Sequence, residues 1–460
     1  MQRRDVLRTF LALPLPGLLA ACGGGSSASA TPGGPSIDQL ALDKPQYFVG
    51  ESASVTAVFS GGNGRLDPGG IPVTSGVSVV LPNQKATNIL RLTVTPASGN
   101  ATITRDITIT VAYRNILTSL SMGFGRASHV TAQSADGKLY AIGGEGGGSS
   151  LPHTVMAFDA YTEKFSLAGE LSTGRTNHTA TVLGDGSILI FGGGRSVSGT
   201  PIAERFDPVA RTARATAGHP QNNRLYHSAT LLADGRVLLV AGQVTGGSLI
   251  SNTADIYDPA GEQFTRLPAA LQYARIGHSA TRLSNGKVLI YGGVDGAGNV
   301  RPPELFDPAT QSFTTLPGLA GESIGRYRHI AVPVASSGDI LIVGGEDFMN
   351  ATPFEGVVRL AKDSNVASAA GKLLLPRGSL AAAPLLDGRI LVAGGTRDTT
   401  SDALASTEVF SPLTGGSTAG PDMSTGRMFH TADVLATGKV LVIGGNDAGR
   451  GIVTTAELFS

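Results

Sequence analysis

Apolar and polar positions alternate one for one in short stretches near the start of the chain. Val55, Ala57 and Phe59 alternate with polar or small residues, Leu90, Leu92 and Val94 with Arg91, Thr93 and Thr95, and Ile107, Ile109 and Val111 with Thr108 and Thr110. A period of two means strands with one face buried. Gly- and Asn-rich turns separate them, at Ser60-Gly61-Gly62-Asn63-Gly64 and Pro96-Ala97-Ser98-Gly99-Asn100. Residues 37–113 are therefore expected to form a small β-sandwich that can be removed without unfolding the rest of the chain.

After residue 123 the alternation gives way to a repeat. Each unit reads Arg-x-x-His, a short run of small and apolar residues, Asp-Gly, a β-branched strand, and Gly-Gly. In the second unit these are Arg175, His178, Asp185-Gly186, Ile188-Leu189-Ile190 and Gly192-Gly193. The unit-starting arginines are Arg126, Arg175, Arg224, Arg275, Arg326, Arg377 and Arg427, spaced by 49, 49, 51, 51, 51 and 50 residues. The fourth unit illustrates four strands: Ser279–Leu283, Lys287–Tyr291, Pro303–Phe306 and Ser312–Leu316, with a hairpin turn at Asn285-Gly286. The last unit has no fourth strand after Phe459, and Ile116–Met122 fits that slot. Ring closure of this kind removes an open sheet edge. The count is then seven, the alternative being six blades and a decayed unit.

Composition supports many short strands over long helices: Gly is 63 of 460 residues and charged residues are 15%. Formal net charge is zero, so no bulk attraction to nucleic acid or an anionic membrane is expected. The single cysteine, Cys22, follows Arg3, Arg4 and an apolar run from Phe10 to Ala21. That run suits a signal-peptide core and is too short to span a bilayer. Leu19-Ala20-Ala21-Cys22 resembles a bacterial lipobox, which implies lipidation of Cys22; the alternative is an ordinary cleaved signal with an incidental cysteine. Gln2-Arg3-Arg4-Asp5-Val6-Leu7-Arg8 also looks like a twin-arginine export signal. Residues 23–36 read as a flexible tether.

A period near 50 with Gly-Gly after an apolar strand resembles the kelch repeat. Residues from about 116 to 460 look like the kelch repeats of bacterial proteins related to the central domain of galactose oxidase. The expected fold is all-β: a seven-bladed kelch-type β-propeller over 114–460, preceded by an immunoglobulin-like β-sandwich over 37–113, a linker over 23–36 and a signal over 1–22. There are departures. The chain has no Trp and places Phe165, Phe264 and Phe313 in the fourth strands; unit three has Ala241-Gly242, and unit six has Leu380 in place of His. The resemblance points toward copper-radical oxidation, which depends on a cysteine cross-linked to tyrosine. Cys22 lies in the signal region, so no cofactor is expected.

His129, His178, His227, His278, His329 and His430 share one register, which suits a repeated hydrogen bond better than a metal site. Seven arginines facing one another at about 8 Å would repel by roughly 2 kcal/mol per neighbouring pair. They call for partners, either Glu204, Asp255, Glu304, Glu408 and Glu457 in blade-to-blade pairs or a bound anion. The loops after each Gly pair vary: Glu145, Arg195, Gln243, Asp295, Glu346-Asp347, Arg397-Asp398 and Asn446-Asp447. In a repeat, variation on one rim is where specificity can be written, so these are the candidate binding residues, unconstrained surface being the alternative. The expected role is a cell-envelope module, anchored in the outer membrane or on the periplasmic face, that binds a protein or glycan. The rival is a carbohydrate-active enzyme, a hydrolase, lyase or epimerase, with its site in the channel.

Overall fold

The repeating unit becomes a repeating sheet. A computed structural model describes residues 34–97, 101–146, 152–194, 202–299, 301–317, 326–362, 367–397 and 403–460. Among the described residues, seven four-stranded antiparallel sheets follow one another from residue 117 to residue 459. In blade 1 the order from the axis outward is Val130–Gln133, Lys138–Ile142, Thr154–Asp159 and Lys164–Glu170. The innermost strands touch their neighbours in a closed cycle, blade 7 meeting blade 1. Blade 7 is completed by Leu117–Ser121, which pairs antiparallel with Thr455–Phe459, Leu117 opposite Phe459 and Ser121 opposite Thr455.

The second strand of each blade is apolar, apart from Lys138 at the start of the one in blade 1, because a sheet lies on both of its faces. Ile188–Phe191, Val237–Val240 and Val440–Ile443 are buried throughout. First strands are small, as at Ser228–Leu231 and Ala381–Pro384, because they crowd toward the axis.

The Gly pair is explained by a contact between blades. The second glycine donates its N–H to the carbonyl of the next unit's arginine, as in Gly144 to Arg175 (2.8 Å) and Gly193 to Arg224 (2.9 Å). Gly445 closes the cycle by donating to Arg126 at 2.9 Å. A Cβ on Gly143 would lie 2.5 Å from the Arg175 carbonyl oxygen, and Gly143 and Gly144 both have left-handed backbones. A side chain is thus opposed by both contact and conformation.

Residues 36–112 form two main sheets and a short parallel pair, Tyr47–Phe48 with Val111–Ala112. One main sheet holds Ser36–Leu42, Ala53–Ser60 and Ser78–Leu81; the other holds Ile71–Val73, Asn63–Asp67, Asn88–Thr95 and Ile103–Ile109. Val55, Ala57, Phe59, Leu90, Leu92 and Val94 point into their shared core, as the alternation requires. The same core continues into the propeller through Leu385, Leu391, Val409, Val440 and Phe459. Tyr113 stacks on Phe459, donates to the Gly438 carbonyl (2.7 Å) and accepts from the Leu386 N–H (3.1 Å). The base of the sandwich is thus also the cover of blades 6 and 7, which weighs against the expectation that residues 37–112 can be removed without consequence.

Candidate functional site

The unit arginines are fully or almost fully buried. Each reaches back under its own blade. Arg275 donates to the Gly292 carbonyl (3.0 Å), the Pro302 carbonyl (2.9 Å) and Glu304 (2.5 Å). Arg377 does the same to Gly394, Ser406 and Glu408, and Arg427 to Gly444, Thr455 and Glu457. Arg175 meets Glu204, and Arg224 meets Asp255. The acidic partners are the five expected ones, but the pairing lies within a blade and not between blades. The reason is geometric. First and third strands of one sheet flank the second, so their upper ends converge on one carbonyl cluster. In blades 1 and 5, Met156 and Val358 stand at the acidic position. There an aromatic ring lies against the guanidinium, Phe124 at 4.6 Å from Arg126 and Phe354 at 4.9 Å from Arg326. Burial draws Arg126 down to about 10.

Four of the histidines add side-chain bonds across the seams between blades. Nε2 of His227, His278, His329 and His129 meets the hydroxyls of Thr179, Ser228, Ser279 and Thr431 at 2.9, 2.9, 2.8 and 3.2 Å. Where Ala381 replaces the hydroxyl residue, His430 turns to the Ala393 carbonyl at 3.1 Å. Where Ile330 replaces it, the histidine itself is Leu380, and the two share one apolar cluster. Burial, with the unit arginine adding repulsion, holds His129, His227, His329 and His430 at about 3, so all are neutral.

Above this scaffold the mouth of the channel is built from two rings. The inner ring is the second residue after each arginine: Ser128, Asn177, Tyr226, Gly277, Arg328, Ser379 and Phe429. All seven have φ between 49° and 65°, the left-handed region that non-glycine residues rarely occupy. Backbone bonds link them around the mouth, from Ser128 N–H to Phe429, Phe429 to Ser379, Arg328 to Gly277, Gly277 to Tyr226 and Tyr226 to Asn177. The outer ring is the residue after each Gly pair. It pairs with the residue preceding the inner one, as in Ala127 with Glu145, Tyr327 with Glu346 and Met428 with Asn446.

These rings enclose a cavity of about 1090 Å³, lined by six of the seven inner residues and by Glu145, Glu346, Thr396, Asn446 and Arg450 among others. Its walls are unequal. Arg328 of blade 5 reaches past Ser379 so that its guanidinium lies 4.7 Å from the Tyr327 ring and 4.8 Å from the Phe429 ring of blade 7. Its contact to Glu346 is long, 3.4 Å. Burial pushes the Glu346 carboxyl above its usual range, and Arg328 pulls it partly back.

Of the expected site residues, Glu145, Glu346 and Asn446 line this cavity. Others hold their own loops. Gln243 donates to the Gly247 carbonyl; Asp295 accepts from Ala297, Asn299 and Arg301; Asp347 accepts from Met349 and Asn350; and Asp447 accepts from the Gly451 N–H. Arg397 is exposed. Arg195, Asp398 and Cys22 lie outside the described residues. The inner ring escaped the sequence reading. Its signal was present: the position before each histidine runs Ser, Asn, Tyr, Gly, Arg, Ser, Phe inside an otherwise constant motif.

Residues 128–345 match the KLHDC2/KLHL20/DRC7 kelch-repeats domain. The chain carries a kelch-repeat domain. Its fold is similar to that of a solved structure described as a novel fungal alcohol oxidase with catalytic diversity among the AA5 family, in complex with copper. Identity to that protein is 18%, with 75% of each chain covered and a TM-score of 0.60. No curated protein matches the chain. The kelch histidines do not fit a copper centre, because they face the seams between blades. Among the described residues no three His, Cys, Asp or Glu side chains gather to hold a metal ion.

Proposed function

We propose that this chain is a cell-envelope binding module that presents the channel mouth to a protein or glycan and is held by a lipid on Cys22. One observation carries the reading. The Gly pairs, arginines and most histidines repeat from blade to blade, while the residues lining the cavity directly above them differ in size, charge and polarity. A scaffold this uniform under a mouth this varied suits recognition. The sandwich supports the orientation. It contacts blades 6 and 7 at Leu386 and Gly438, in the hairpins at the end opposite the mouth. A tether on its N-terminal side leaves the mouth facing away from the membrane.

The test is a glycan and surface-protein binding screen on the full chain with Tyr226→Ala and Phe429→Ala. Loss of binding in both supports the mouth as the site, and binding that survives both removes it. Cys22→Ala should release the protein from the membrane fraction, and unchanged partitioning would end the anchor. The second reading, a carbohydrate-active enzyme, is favoured by one feature: Glu346, a carboxyl with a raised pKa beside a guanidinium, has the character of a general acid. Turnover of a sugar that disappears in Glu346→Gln would favour it.

A further inference from the structure

Arg328 is the one cation of the inner ring, and its setting is unusual for a surface ion pair. Its guanidinium is fixed between two rings, Tyr327 at 4.7 Å and Phe429 at 4.8 Å. Such a clamp sets the plane of the fork and leaves its edge for a partner. The internal partner is poorly engaged: Glu346 Oε1 lies 3.4 Å away, longer than a charge-assisted bond prefers. The other oxygen of Glu346, Oε2, is directed toward Gly378, where an added Cβ would lie 2.5 Å from it.

We propose, building on the mouth as the binding site, that the ligand is an acidic saccharide whose carboxylate is received bidentately by Arg328 in place of Glu346. Two features select a sugar over a peptide. The mouth mixes donors and acceptors around the clamp, among them Asn446 and Ser379, and sets an aromatic ring, Tyr226, in its lining. Hydroxyls that both donate and accept, on a ring with an apolar face, match that surface. An extended peptide would instead look for unpaired backbone. Here the inner-ring amides of Ser128, Tyr226, Gly277, Arg328 and Phe429 are spent on one another's carbonyls, and the outer ring pairs with the residues beside it.

The probes are trigalacturonate, its trimethyl ester and hexaglutamate, titrated calorimetrically into the full chain. Trigalacturonate should bind at least ~10-fold more tightly than the ester, ~1.4 kcal/mol. Arg328→Asn, chosen because asparagine tolerates the left-handed backbone, should weaken trigalacturonate at least ~10-fold with an unchanged melting temperature. Glu346→Gln should tighten it several-fold by removing the competing carboxylate. Acid and ester binding equally, with both lost in Tyr226→Ala, would overturn the acidic ligand and leave the mouth standing. Tighter binding of hexaglutamate would overturn the saccharide. Trigalacturonate binding unaffected by Arg328→Asn, Tyr226→Ala and Phe429→Ala would overturn both the inference and the mouth. No binding of any probe would overturn the inference alone.

Discussion

Asp433 stands alone among the first-strand residues in carrying a carboxylate, and it sits at the seam where blade 7 meets blade 1. Thr131 Oγ1 donates to it at 2.8 Å, directly below the bond between His129 and Thr431. The residue is half-buried among the first strands. Burial raises it to about 6, with hydrogen bonds from Thr131 and Thr431 opposing the rise. A carboxyl raised in the fold favours the folded state fully below its unfolded value, near ~3.9, and loses that advantage as pH rises through about 6. Relative to a neutral residue, the charged form then costs about 3 kcal/mol at pH 7.5 and about half as much at pH 5; channel water makes these upper bounds. Asp433→Asn keeps an acceptor for Thr131 and carries no charge. It should raise the melting temperature by about 3 °C at pH 7.5 and by about half that at pH 5. The buried histidines also make stability depend on pH, so the quantity to measure is the difference between variant and parent across pH 5–8. A variant no more stable at pH 7.5, or a difference that does not shrink toward pH 5, would refute the reasoning.

The histidines themselves predict acid lability. His129, His227, His329 and His430 are held at about 3 in the fold against about 6.5 unfolded, so each contributes stability that is complete above ~6.5 and is lost as pH falls toward 3. At pH 5.5 the loss is about 1.4 kcal/mol per histidine, so thermal melts should fall steeply below pH 6. His227→Leu should cost about 1–3 kcal/mol by stranding the Thr179 hydroxyl, and adding Thr179→Ile should recover much of it, as Leu380 and Ile330 already combine at the seam of blades 5 and 6; a double-mutant cycle in urea reads the coupling. Glu304→Ala leaves Arg275 buried without its charge partner and should cost about 3–5 kcal/mol by denaturant unfolding. Deleting residues 115–122 uncovers the Thr455–Phe459 edge, and deleting 37–112 uncovers the apolar underside of blades 6 and 7; both should lower the melting temperature, and a silent truncation would contradict the shared core.

Much of the fold was readable from residue order alone. A repeat near 50 residues dictates equivalent units. Alternation in Val55, Ala57 and Phe59 dictates which face is buried, and Ile116–Met122 matches the slot left after Phe459, because strand periodicity and spacing are local properties. Which blade an arginine pairs within is not local. Arg175 lies 29 residues from Glu204 and 80 from Asp255, and nothing in spacing separates the two until the sheet is folded. In sequence Leu380 is only a departure from the repeat; the fold pairs it with Ile330, 50 residues away, in one apolar cluster. The mouth shows the same limit. Glu145, Glu346 and Asn446 were visible as variable positions, but so were Asp295 and Asp347, and only the fold shows that the latter two are occupied in bonding their own loops. The left-handed inner ring, the reach of Arg328 to Phe429 across an intervening blade and the union of the sandwich core with blades 6 and 7 arise from closing the chain into a circle. Closure brings together residues that no period or motif connects.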